Sequence, residues 1–144
     1  MLKKSLFLAF IVLTFGLPAF AQAAYTPAKD SAVRKTILDV FRTPVEKELK
    51  QKIVFNVENF KVKGNWAFLS GDPQSTSGGK PNYKNTPYQK AIDAGMFDNN
   101  FFALLKKSGG KWKVVTYAIG CTDVCYATWW KAHKAPKDIF PYSE

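Results

Sequence analysis

The residues of this chain whose types and spacing could do chemistry are few: Cys121 and Cys125, His133, Asp123, and a set of lysines and tyrosines from Lys80 to Tyr88. Cys121 and Cys125 are the only cysteines. On a helix, a spacing of four brings Cα atoms to about 6 Å, within the range a disulfide accepts. A short structural clip, two buried thiols and a redox or metal pair all fit, and the clip is the expectation. A loop this short gains little from closure, so the clip would shape a helix start more than hold the fold. His133 is the only histidine, near the end of a C-terminal helical segment. It reads either as a general base or as a solvated residue that suits the negative end of a helix dipole. Asp123 lies ten residues earlier, on another helical face, and cannot orient it. Asp123 reads instead as a capping-turn acid behind Thr122, with a ligand role as its alternative.

The remaining patterns exclude more than they offer. Cys121, Cys125 and His133 match no familiar zinc spacing. Ser70-Gly71 is no nucleophile elbow, and Gly78-Gly79-Lys80 lacks the earlier glycine and the Ser/Thr of a phosphate-binding loop. Glu46 and Glu48 project differently on a helix and read as surface acids. No catalytic residue, cofactor or metal is therefore expected.

Charge carries more information. The chain has 21 Lys and Arg against 11 Asp and Glu, a formal net charge of +10. Between Asp72 and Asp93 there is no acid, while Lys80, Lys84 and Lys90 alternate with Tyr83 and Tyr88. Lysines interleaved with tyrosines suit an anionic polymer or a stacked ring; a flexible solvated loop is the plainer reading. Nucleic acid is not expected, because only Arg34 and Arg42 supply guanidinium groups. Trp66 and Trp112 sit in strand-like patterns and read as core. Trp129 and Trp130 point different ways on one helix, which makes at least one of them a candidate contact.

The elements that position these residues begin after a leader. Lys3 and Lys4, an apolar run from Leu6 to Leu17, Pro18, and small residues at Ala19, Ala21 and Ala23 have the three parts of a cleaved secretory signal, residues 1–23. Such a leader implies a periplasmic or secreted product, an oxidising compartment for the cysteines, and no membrane span after cleavage. Residues 24–144 then suffice for a single domain. Without Lys3 and Lys4 the formal charge falls from +10 to +8.

Within that domain, Asp30 or Ser31 caps a helix carrying Val33, Ile37, Val40 and Phe41 on one face. Thr43-Pro44-Val45-Glu46 reads as the start of a second, short helix to about Gln51. Alternation over Ile53, Phe55 and Val57 shifts phase after Glu58-Asn59, which predicts a bulge. Lys63-Gly64-Asn65 turns into a second strand from Trp66, and residues 71–88 form a long irregular loop. A short helix ends at Gly95, and a second hairpin runs through Ser108-Gly109-Gly110. A last helix spans Thr122 to about His133. The expected architecture is α+β: a four-stranded antiparallel sheet of two hairpins with helices packed on one face, in the order α-α-β-β-(α)-β-β-α.

The stretches ILDVFR, IVFNVENFKVKGNWAFLSGDPQ, FFALLKKSGGKWKVV and GCTDVCYATW resemble a group of small exported bacterial proteins of unassigned function. The most specific pieces are Gly64-Asn65-Trp66-Ala67-Phe68 and Gly120 with Thr122-Asp123-Val124. The resemblance implies location and architecture only. A helix on a curved four-stranded sheet is also similar to cystatin-like and NTF2-like folds, which host binding modules and enzymes alike. The expected function is a non-catalytic exported module that binds an anionic envelope component or a partner protein. Its candidate contacts are Lys80, Tyr83, Lys84, Tyr88, Trp129, Trp130 and Asp123. A small periplasmic enzyme with a cleft near Asp123, and an inhibitor or immunity-type protein, are the alternatives.

Overall fold

A computed structural model describes residues 22–144; residues 1–21 of the expected leader lie outside the described residues. Helix α1 spans Ala32–Leu49. The Ser31 side chain accepts the Arg34 backbone N–H at its start, which satisfies one of the free donors of the first turn. Lys50 closes it in the left-handed conformation, at φ 54°.

The two helical segments expected either side of Pro44 run on as one helix. Pro44 has no N–H for the preceding turn, a defect that costs about 3 kcal/mol in a helix interior. The apolar stripe Ile37, Phe41, Val45 and Leu49 continues straight through it, each residue no more than 2% exposed. Burying a side chain of this size contributes roughly 1.5–3 kcal/mol, so four of them in register outweigh one missing hydrogen bond.

The sheet is antiparallel, with strands β1 (Ile53–Lys63), β2 (Trp66–Ser75), β3 (Phe101–Ser108) and β4 (Lys111–Ile119) in spatial order β1-β2-β3-β4. Its register slips between Val57 and Asn59, leaving Glu58 as the extra residue at the expected bulge. A second slip in β4 frees Val115. Strand β2 runs past Leu69 because Gly71 to Ser75 pair with Ile53 to Val57. Only glycine allows this: a Cβ on Gly71 would lie 1.9 Å from the Asn56 carbonyl oxygen. Pro73 is tolerated there because β3 pairs with β2 only as far as Gly71, so its missing N–H faces no neighbour.

Alternation sends the rows Val62–Ala67–Leu105–Val114 and Phe60–Leu69–Ala103–Tyr117 to the face covered by α1. Phe41 of α1 meets Phe55, Phe101 and Tyr117 at ring-centroid distances of 4.7, 5.3 and 5.7 Å. The loop from residue 76 to 88 leads into the short helix α2 (Gln89–Asp93).

The helices do not all pack on one face. Phe68 and Leu104 are fully buried on the opposite side of the sheet, under Tyr126, Ala135, Ile139 and Phe140. These belong to a C-terminal segment that carries helix α3 (Trp129–His133) and a 3-10 turn, Lys137–Ile139. Helix α3 is shorter than the expected Thr122–His133. Asp123 accepts from the adjacent Val124 N–H through its side chain and from Cys125 N–H through its carbonyl, bonds that compete with a helical ladder. Residues 121–128 are turns instead.

Candidate functional site

The second face of the sheet carries the arrangement with most chemical character. Directly paired residues in an antiparallel sheet point the same way, with Cβ atoms about 5 Å apart. Lys63 pairs with Trp66, Trp66 with Lys106, and Lys106 with Lys113. These four form a transverse row across all four strands, on the side away from α1. The hairpin turns Gly64-Asn65 and Gly109-Gly110 put the row at one end of the sheet. Lys106 Nζ lies 4.8 Å from the centre of the half-buried Trp66 ring, a cation–π distance.

The C-terminal segment extends this row. Asp138 pairs with Lys63 at 2.7 Å and so brings the 3-10 turn alongside β1. Its neighbour Lys137 places Nζ 4.7 Å above the Trp130 ring, and Lys131 lies 5.7 Å from the same ring. The Trp130 indole N–H donates to the Glu144 carbonyl at 2.6 Å, and Glu144 N–H donates to Ala127 O. The indole is thereby held in one orientation.

Electrostatics sets the row apart. Lys106 and Lys113 are exposed and face each other, and neither has a carboxylate within salt-bridge distance among the described residues. No acid occurs between Asp98 and Asp123, a span holding Lys106, Lys107, Lys111 and Lys113. Ammonium groups about 6 Å apart in water would repel by about 0.7 kcal/mol, an upper figure for this pair because Lys106 leans over Trp66 on the neighbouring strand. Nothing in the fold requires this: an acid at either position would turn the repulsion into attraction.

The residues expected to form one basic, aromatic loop patch divide between inside and outside. Lys80 and Lys84 are exposed. Tyr83 is only 8% exposed, packs edge-on to Phe97 at 4.8 Å and donates its hydroxyl to Asn99 Oδ1 at 2.6 Å. Tyr88 is half-buried and donates to Glu48 Oε1 at 2.7 Å. These tyrosines anchor the loop; their rings are not a free stacking platform. Burial, with the Asp72 charge behind it, pushes the Tyr83 hydroxyl well above the usual tyrosine range. Trp129 lies half-buried, 6.5 Å from Tyr126. Asp123 is exposed and occupied with Val124 N–H. Cys121 and Cys125 are joined in a disulfide with Cα atoms 6.3 Å apart. The Cys121 carbonyl accepts from Asn100 Nδ2 at 2.8 Å, which ties the clip to the start of β3. His133 ends α3, half-buried. No group of three or more His, Cys, Asp or Glu side chains is placed to hold a metal among the described residues.

Two features lie outside the expected set. One is the Lys63–Trp66–Lys106–Lys113 row, whose inner pairing depends on how the two hairpins meet. The other is Glu48. Its carboxylate accepts from Tyr88 through one oxygen and from Tyr117 through the other, the latter at 2.5 Å. Burial, with these bonds and the carboxylate charge, raises both phenols far above their ordinary value. Glu48 follows Val45 by three residues and precedes Leu49, so it borders the buried stripe of α1.

Comparison with protein-family models, with curated proteins and with solved structures finds no match to this chain.

Proposed function

We propose that this chain is an exported binding module that holds an anionic envelope polymer against the second face of its sheet. The carrying observation is the cross-strand row in which Lys106 and Lys113 face each other uncompensated, flanked by Trp66. A polymer with negative groups every few ångströms would relieve that repulsion and gain an attraction at each lysine. Lys106 and Lys137, each held over an indole, present their ammonium groups to the acidic groups of such a polymer, with Trp66 and Trp130 steadying them from beneath. Export rests on the leader-like residues 1–23 and on the resemblance to small exported proteins. The Cys121–Cys125 disulfide is compatible with an oxidising compartment. No helix among the described residues is long and apolar enough to cross a membrane.

The test is sedimentation of the protein with lipopolysaccharide, with neutral dextran as control, across a salt series. Retention by the anionic polymer alone, weakening steadily as salt rises, is the expected result. Equal binding to dextran, or binding indifferent to salt, overturns the proposal. Quenching of tryptophan emission that is lost in Trp66→Phe or Trp130→Phe places the contact at that indole.

A further inference from the structure

A groove of about 650 Å³ opens on the other side of the sheet, between the C-terminal end of α1, the loop before α2 and the outer strand β4. It is lined by Pro44, Lys47, Glu48, Lys50, Asn85, Pro87 and Tyr117. The hollow is shallow and open to solvent, so it suits a small ligand that rests on the surface rather than one that is engulfed. We infer that it is a second binding site, for a hexose-sized polyol carrying one acidic group, of the class of a hexuronic acid.

Three observations carry the assignment. The first is a fixed acceptor. Each Glu48 oxygen already takes one phenol, from Tyr88 or Tyr117, and an ionised carboxylate oxygen has room for a further donor. Hydroxyl groups supply such donors without adding charge. The second is the charge balance. Lys47 and Lys50 are exposed on the rim and belong to no ion pair among the described residues. Two ammonium groups against one carboxylate leave a single positive charge to be met. A ligand with one acidic group meets it; a dianion would be forced against Glu48. The third is shape. Pro44, Pro87 and the Tyr117 ring give flat apolar walls that match the C–H faces of a sugar ring, while the Asn85 amide can both donate and accept.

The site is also held rigid before any ligand arrives. Tyr88 comes from the loop, Tyr117 from β4 and Glu48 from α1, so a single carboxylate fastens three elements. Gln51 adds a second fastening, accepting from Asn82 N–H at 3.0 Å and donating to Asn82 O at 2.6 Å. A preorganised site spends little binding energy on ordering itself.

This inference does not rest on the basic face, and the experiment keeps the two apart. The full protein, labelled with nitrogen-15, is titrated with sodium glucuronate, glucose and sodium acetate while its amide resonances are followed. Glucuronate is expected to move Lys47, Lys50, Asn85 and Tyr117, to bind about tenfold more tightly than either other probe, and to leave Lys106 and Lys113 still. The double variant Lys47→Gln/Lys50→Asn, whose asparagine accepts the left-handed turn, should keep its fold and lose about that tenfold. Equal shifts with acetate reduce the site to a simple anion contact and overturn the assignment. Equal affinity for glucose overturns the acidic-group requirement, and shifts confined to Lys106 and Lys113, or none at all, overturn the groove.

Discussion

Replacing Lys113 by glutamate separates the demands of folding from those of binding. Lys113 faces Lys106 across β3 and β4, and both are exposed. A repulsion of at most about 0.7 kcal/mol between the ammonium groups becomes an attraction of similar size when one sign is reversed. Rotamer freedom and counter-ions absorb much of that swing, so a net stabilisation of about 0.5–1 kcal/mol is expected. For a domain of this size it raises the melting temperature by about 2–5 °C. Thermal unfolding followed by circular dichroism should show the gain at about 0.01 M salt and lose it near 1 M, as the Debye length falls from about 30 to about 3 Å. Sedimentation with lipopolysaccharide should move the other way, because the same substitution removes one cation from the row and adds an anion. Lys113→Arg should leave both measurements close to the parent. A variant that binds the polymer as well as the parent refutes the functional role of the row. One less stable at low salt refutes the electrostatic reading of the pair.

The other predictions concern the scaffold and the tyrosines. Gly71→Ala should cost about 3 kcal/mol or more in urea unfolding, since its Cβ would fall 1.9 Å from a backbone oxygen that the strand pairing holds in place. Tyr117→Phe removes one of two hydrogen bonds to the Glu48 carboxylate and should cost about 1–2 kcal/mol, read from the same urea curves. The raised hydroxyls of Tyr83, Tyr88 and Tyr117 set an alkaline limit. In the unfolded chain they release protons near the ordinary tyrosine value of about 10, while the folded protein retains them. Their contribution to stability is thus fully present below about pH 10 and lost as pH rises above it, which tyrosinate absorbance and circular dichroism should register as one transition. Reducing the Cys121–Cys125 bond should lower stability by no more than about 2 kcal/mol, leaving a folded protein with a lower melting temperature.

What the sequence made legible was local. The two hairpins, the bulge at Glu58 and the disulfide spacing each follow from residues within a few positions of one another. So do the outer parts of the basic row: the Gly64-Asn65 turn sets Lys63 opposite Trp66, and Gly109-Gly110 sets Lys106 opposite Lys113. The pairing of Trp66 with Lys106 joins one hairpin to the other and has no local signature. Tyr83 and Tyr88 misled for the same reason. Their loop has a solvated composition, yet their partners Asn99 and Glu48 lie 16 and 40 residues away. Glu48 was hidden by its neighbours: among Glu46, Lys47 and Lys50 it has the look of a solvated face, and the phenols that hold it, Tyr88 and Tyr117, lie 40 and 69 residues away.

The residues that cover the second face of the sheet come after all four strands in chain order. During synthesis, Phe68 and Leu104 have no cover until the stretch containing Tyr126, Ile139 and Phe140 has emerged. A chain in that interval has an open apolar surface of the kind chaperones hold, and it cannot yet lock into its finished form. Under the proposed export, in which the chain would cross a membrane unfolded, such late closure would be an advantage. The segment that steadies Trp130 is thus also the one that closes the second face of the sheet.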